Sequence, residues 1–124
     1  MPLSTLADAP VFERHGFTFR PLAVPSRGST ELAVWALEIA PGAQSEDHHM
    51  DREEVFVVTE GKVSADIAGQ EVTAGPGDAL IVPAHALLRL RNACPNTLAT
   101  LTAVTSAGMR ATIGDTVITP PWAQ

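Results

Sequence analysis

The sequence predicts a single all-β domain, a sandwich or barrel of short strands. Three observations carry this. Runs of β-branched or alternating residues recur along the chain, separated by turn signals every eight to twelve residues. No stretch shows the apolar spacing of a convincing amphipathic helix. Several runs are apolar on both faces, so one face fills an interior and the other needs cover from a second layer or a second subunit.

The elements follow in order. Residues 1–10 read as a loosely held arm, and Phe17-Thr18-Phe19-Arg20 alternates as a first strand. The expected division is an arm and first strand over 1–20 and the barrel over 21–124. Pro21, Pro25 and Ser26-Arg27-Gly28-Ser29 read as a loop. Residues 31–40 have enough apolar density for a helix, but Pro41-Gly42 stops them early and a strand is expected. Alternation then puts Ala33, Trp35, Leu37 and Ile39 on one face and Val34, Ala36 and Glu38 on the other.

The stretch 41–61 organises the chain. It begins with a Pro-Gly turn, passes through an acidic segment bearing His48 and His49, and enters the run Val55-Phe56-Val57-Val58 before turning at Gly61. Residues 63–68 alternate and turn at Gly69-Gln70; residues 71–74 lead into Gly75-Pro76-Gly77-Asp78. Residues 79–82 form an apolar run ended by Pro83. In residues 87–91, Leu88 and Leu90 alternate against Arg89 and Arg91, which should lie outside the lumen. Residues 98–105 are Thr-rich and alternating, as in a half-buried strand. Gly108 and Gly114 punctuate the end.

Composition narrows the function classes. The chain has 124 residues, suited to one domain, with 45% hydrophobic and 18% charged residues. The formal net charge of -6 and scattered basic residues argue against nucleic acid or an anionic membrane as partner. The single cysteine, Cys94, excludes an internal disulfide and a Cys-rich zinc site. The first ten residues lack the features of a signal peptide, and no apolar run approaches a membrane span, so a cytoplasmic location is the default expectation.

Two segments carry a resemblance. Gly42 is followed by five residues, then His48, His49, Met50, three more residues, Glu54, six residues and Gly61. Gly77 is followed by five residues, then Pro83, Ala84, His85, two residues, Leu88, three residues and Asn92. In spacing, both resemble the paired motifs of the cupin superfamily, and the chain is similar to small single-domain bacterial cupins. The resemblance implies a cupin-type jelly-roll β-barrel with core motifs over 41–61 and 75–92. It also implies a site inside the barrel where three histidines and a glutamate hold a divalent metal. Here the second histidine position is Met50 and the third is Leu88, and His85 stands where the motif has glycine.

These departures shape the expected chemistry. Only His48 and Glu54 of the four ligands remain. They lie six positions apart, and even spacing along a strand would turn both into the lumen. A thioether is a poor ligand for hard divalent ions and Leu88 offers none, so the expected cofactor is none, or a weakly bound divalent metal. An inward turn of His49, or a reach by His85, would supply a substitute third ligand. Without metal, the expected pocket is apolar, lined by Trp35, Met50, Phe56, Val58, Leu88 and Leu90, with His48 and Glu54 as its polar pair. Such a pocket suits a small apolar or aromatic ligand. Glu54 should have a raised pKa, and the two residues would act as acid and base, unless they merely hydrogen-bond each other to stabilise the fold.

Three functions follow: a metal-poor small-molecule binder, isomerase, cyclase or lyase; a metal-dependent oxygenase or isomerase; and a non-catalytic sensor or interaction module. Trp122, held by two prolines, is expected to pack over a barrel edge or into a partner subunit. The two-sided apolar strands and the resemblance together predict a homodimer.

Overall fold

The computed structural model describes residues 2–124. Twelve strands follow one another: β1 (Phe12–Arg14), β2 (Phe17–Ala23), β3 (Leu32–Ile39), β4 (His49–Met50), β5 (Glu54–Glu60) and β6 (Val63–Ile67). Then come β7 (Gln70–Ala74), β8 (Ala79–Val82), β9 (Leu88–Asn92), β10 (Ala99–Ser106), β11 (Ala111–Ile113) and β12 (Thr116–Ile118). Two 3-10 turns, Pro25–Arg27 and Pro121–Ala123, are the only helical elements among the described residues. No helix there is long and apolar enough to cross a membrane.

One layer is a six-stranded antiparallel sheet in the order β1-β2-β3-β10-β5-β8. The second is built from β7-β6-β9 and β12-β11-β4. The segment 43–48 joins these halves by running beside β9. Ser45 N donates to the Leu90 carbonyl at 2.8 Å, and His48 and Leu88 exchange backbone hydrogen bonds at 3.0 and 2.7 Å. The result is a cupin-like jelly roll, all-β as the spacing of short strands predicts.

Alternation decides what lies between the layers. On β3, Ala33, Trp35, Leu37 and Ile39 are buried; on β5, Glu54, Phe56 and Val58; on β10, Ala99, Leu101, Ala103 and Thr105. The β5–β6 hairpin turns at Gly61, whose φ is +82°; a side chain there would meet Leu98 O and Ala99 Cα at 2.9 Å. Only glycine fits both the left-handed backbone and that close approach. Asn92 closes one end of the barrel. Its buried Nδ2 donates to the carbonyls of Ile39 (3.0 Å) and Thr97 (2.7 Å), while its Oδ1 accepts from Cys94 N (2.9 Å).

Three features depart from the sequence-based expectations. β2 continues through Pro21 to Ala23, where a loop is expected from Pro21 onward. A register shift between Pro21 and Ala23 accommodates the missing N–H, since proline in a sheet needs a bulge or a free edge. The arm is pinned rather than loose: Ser4 Oγ donates to the Leu22 carbonyl, and Arg27 donates to the carbonyls of Thr5 and Pro21. The short strands β1, β4, β11 and β12 were not anticipated, because two or three residues are too few to show a period.

Candidate functional site

A cavity opens between the two layers. Its empty volume is about 630 Å³ with the open mouth included. That is the size range of small-molecule pockets, roughly 300–1,000 Å³. The first layer contributes Phe17 and Phe19 from β2, Trp35 and Leu37 from β3, and Glu54 and Phe56 from β5. The second layer contributes Ser45, Glu46, His48 and Met50, with Leu90, Ala111, Ile113 and Ile118. Trp122 arrives from the C-terminal 3-10 turn, and Arg14 and His15 from the β1–β2 hairpin.

His48 and Glu54 both line this cavity, but not from one strand. His48 precedes β4 in the second layer and Glu54 begins β5 in the first, with residues 51–53 crossing between them. The expected shared strand is therefore replaced by two residues on opposing sheets. His48 sits where the chain stops pairing with β9 and starts pairing with β11, and period-two alternation then points Met50 inward as well.

Glu54 is only 1% exposed, and neither carboxyl oxygen has a hydrogen-bond partner. Burial without a compensating donor disfavours the anion and pushes its pKa up to about 8. The absence of any partner also removes the alternative in which His48 and Glu54 serve only as a stabilising hydrogen-bonded pair. Burial likewise pushes the His48 pKa down, against an opposing pull from its hydrogen bond to the Glu46 carbonyl. That bond joins Nδ1 to Glu46 O at 2.8 Å. A carbonyl only accepts, so Nδ1 carries the proton and Nε2 keeps its lone pair. Near neutrality the cavity thus holds a protonated carboxylic acid and a neutral imidazole base, the pattern of two groups whose environments drive their pKa values apart.

The mouth is held by charge. Glu46 Oε1 accepts from Arg14 Nη2 at 2.9 Å, and His15 Nε2 lies at the same distance from that oxygen. Nearby, Arg89 Nε pairs with Asp47 Oδ1 at 2.7 Å on the outer surface, so Arg89 lies outside the lumen as its alternation requires. That guanidinium holds the Asp47 carboxyl below its usual range.

Of the expected lining residues, Trp35, Met50, Phe56 and Leu90 surround the cavity. Val58 and Leu88 do not. Both are buried in the core and take no part in the cavity lining. His49 and His85 also stand apart from the cavity. His49 pairs with Thr112 on β11 and must face away because its neighbours His48 and Met50 face in. His85 is exposed in a turn at φ +68°, its backbone N–H donating to Met50 O at 2.7 Å. Arg14, His15, Phe17, Phe19, Ile113, Ile118 and Trp122 lie outside both motifs. Only the Pro-Pro-Trp signature hinted at one of them, Trp122.

A family profile for the cupin domain (Cupin_2) matches residues 35–105, and the chain belongs to this family. Solved structures agree on the fold. An RmlC-like cupin from Shewanella frigidimarina superposes with a TM-score of 0.74 at 21% identity, covering 87% of this chain and 92% of that one. The polyketide cyclase RemF from Streptomyces resistomycificus gives 0.74 at 19% identity, covering 88% and 81%. A sugar phosphate isomerase of the cupin superfamily from Silicibacter pomeroyi gives 0.72 at 21% identity, covering 93% and 83%. No curated protein matches the chain by sequence.

Cupins commonly hold a metal, and the residues here do not fit one. Among the described residues no group of three or more His, Cys, Asp or Glu side chains is placed to hold an ion. Inside, the cavity offers the His48 imidazole, a Glu54 carboxyl favouring its neutral form and the Met50 thioether; His15 and Glu46 stand at the mouth, with Glu46 already paired to Arg14. Metal binding needs ligands deprotonated, and this donor set is too small and too apolar to compensate.

Proposed function

We propose that this cupin binds a small apolar or aromatic molecule in its barrel and exchanges protons with it, as an isomerase, cyclase or lyase that works without a resident metal. One observation carries the reading: both oxygens of Glu54 are buried in the wall of an otherwise apolar cavity without a partner. A buried, unsatisfied carboxyl costs on the order of 1–3 kcal/mol or more, and a bound molecule with a polar atom at that point offsets it. Glu54 would then donate its proton to a ligand oxygen while His48 Nε2 takes one from carbon, leaving an enol that reprotonates elsewhere.

The aromatic walls favour a ring-bearing substrate over a sugar phosphate. Arg14, the cation among the described lining residues, stands at the mouth and already pairs with Glu46. Cyclase and isomerase chemistry in barrels of this fold makes the reaction class reasonable, although fold likeness alone assigns no reaction. A cavity of this size, with two titratable groups in its wall, weighs against a purely scaffolding module.

The test uses acetophenone as a probe in D₂O. NMR should show deuterium entering its methyl group faster with protein than with buffer, and H48Q and E54Q should each abolish the excess. Binding without exchange would reduce the protein to an accessory binder.

A homodimer is part of the same proposal. On the outer face of the six-stranded sheet, Val34, Val104, Val55 and Ile81 stand directly opposite one another across four strands. Beside them lies the row Ala36, Thr102, Val57 and Ala79. Strand spacing makes each row roughly 15 Å long. Neither row carries a charge, which suits a second copy of a chain with net charge -6. Light scattering should give a dimer that V55D converts to monomer; a wild-type monomer at high concentration would refute it.

A further inference from the structure

Every buried side-chain polar atom without a partner among the described residues sits on a residue that lines this one cavity: Glu54 Oε1 and Oε2, Trp35 Nε1 and Trp122 Nε1. Elsewhere buried polar groups are satisfied, as at Asn92 and at Thr105, whose Oγ1 donates to Glu53 O at 2.6 Å. Buried indole N–H groups usually find an acceptor. Two unsatisfied donors in one wall therefore point to what the ligand must bring.

Trp122 reaches the cavity by deliberate anchoring. Pro120 and Pro121 lead into the terminal 3-10 turn, Ala123 is buried, and Gln124 O accepts from Ser26 N at 3.2 Å. The indole then stacks on Phe19 with ring centroids 3.8 Å apart and planes 11° from parallel. Packing alone is served by the stack. It does not require an indole, and it leaves Nε1 buried with nothing to bond.

We propose that Trp122 is a ligand-binding residue, and that with Trp35 it supplies indole N–H donors for acceptor oxygen on a neutral aromatic or cyclic unsaturated ketone. This rests on the reading of the barrel as a small-molecule pocket. An N–H only donates, so the ligand must present acceptors. A cationic ligand gains nothing from donors and a protonated carboxyl. An anionic one meets only Arg14 at the mouth, already paired with Glu46. The flat faces of Phe17, Phe19, Phe56 and the two indoles suit a ring.

The test compares acetophenone with ethylbenzene, which has nearly the same shape but no carbonyl, by ligand-observed NMR titration. Wild type should prefer acetophenone by about tenfold, the effect of one neutral hydrogen bond. W122F keeps a ring on Phe19 and should lower that preference, because one of the two donors is gone. The chain has two tryptophans. Its indole N–H spectrum therefore reports on this wall alone, and both signals should move downfield with acetophenone but not with ethylbenzene. That readout needs only the wild-type protein, so it stands even where W122F misfolds. Equal binding of both probes, with unmoved indole signals, overturns the donor assignment and leaves the pocket intact. Binding of neither probe overturns the pocket reading and this proposal with it.

Discussion

Replacing Glu54 by glutamine isolates the energetic consequence of burying this carboxyl. The folded protein holds Glu54 near a pKa of about 8, against an ordinary value of 4.5. Below pH 4.5 the group is protonated whether the chain is folded or not, and it makes no pH-dependent contribution. Between 4.5 and about 8 the unfolded chain releases the proton while the folded chain keeps it, so stability falls as pH rises. Above 8 both states are ionised and the loss is complete. At about 1.4 kcal/mol per pH unit, the full interval corresponds to on the order of 5 kcal/mol. The window from pH 5 to pH 8.5 spans most of this, and local relaxation and water entry reduce it, giving about 2–4 kcal/mol. Glutamine has nearly the shape of the protonated acid and does not titrate. Urea denaturation of both proteins at the two pH values should show wild type losing that much more stability than E54Q. A wild-type–minus–E54Q difference that is constant with pH would refute the account of Glu54 as a buried neutral acid.

Three further outcomes follow from the same geometry. Proton exchange into acetophenone should fall as pH rises through about 8, where Glu54 loses its proton, and at the acid end it should fall only below the ordinary histidine range, since burial lowers the His48 pKa; a profile rising steadily through pH 9 would contradict this. N92A removes three hydrogen bonds from a nearly fully buried side chain and should cost about 2–4 kcal/mol in urea denaturation, whereas a change under about 0.5 kcal/mol would mean the clamp is idle. Met50→His adds an imidazole to the wall that already holds His48 and Glu54, and should tighten zinc or nickel binding by at least about tenfold in calorimetry; unchanged binding would show that these three positions do not converge.

How much of this was readable beforehand follows from where the residues sit in the chain. His48, Met50, Glu54 and Phe56 fall within one contiguous motif, and their burial and inward direction follow from period-two alternation once the strand is recognised. Trp35 and Leu90 are legible for the same reason. Leu88 obeys the alternation too, but how tightly its surroundings pack cannot be read from spacing, so its absence from the cavity wall is visible only in three dimensions. The opposing placement of His48 and Glu54 depends on the crossing at residues 51–53, where no apolar period marks a change of sheet. The remaining wall comes from both ends of the chain. Phe17 and Phe19 meet Trp122 and Ile118 across about a hundred residues of sequence, and β11 and β12 are three residues each. Long-range pairing of such short elements leaves no local signal.

The central claim is a pocket that binds and protonates its ligand without a resident metal. Elemental analysis of protein purified without an affinity tag or chelator tests it most directly, repeated after incubation with iron, manganese, zinc and nickel. The donor set of one imidazole, one protonated carboxyl and a thioether predicts a metal-to-chain ratio near zero in both samples. A ratio near one in the purified protein, lost on changing His48 and Glu54, would contradict the account and put a metal where the acid–base pair is drawn.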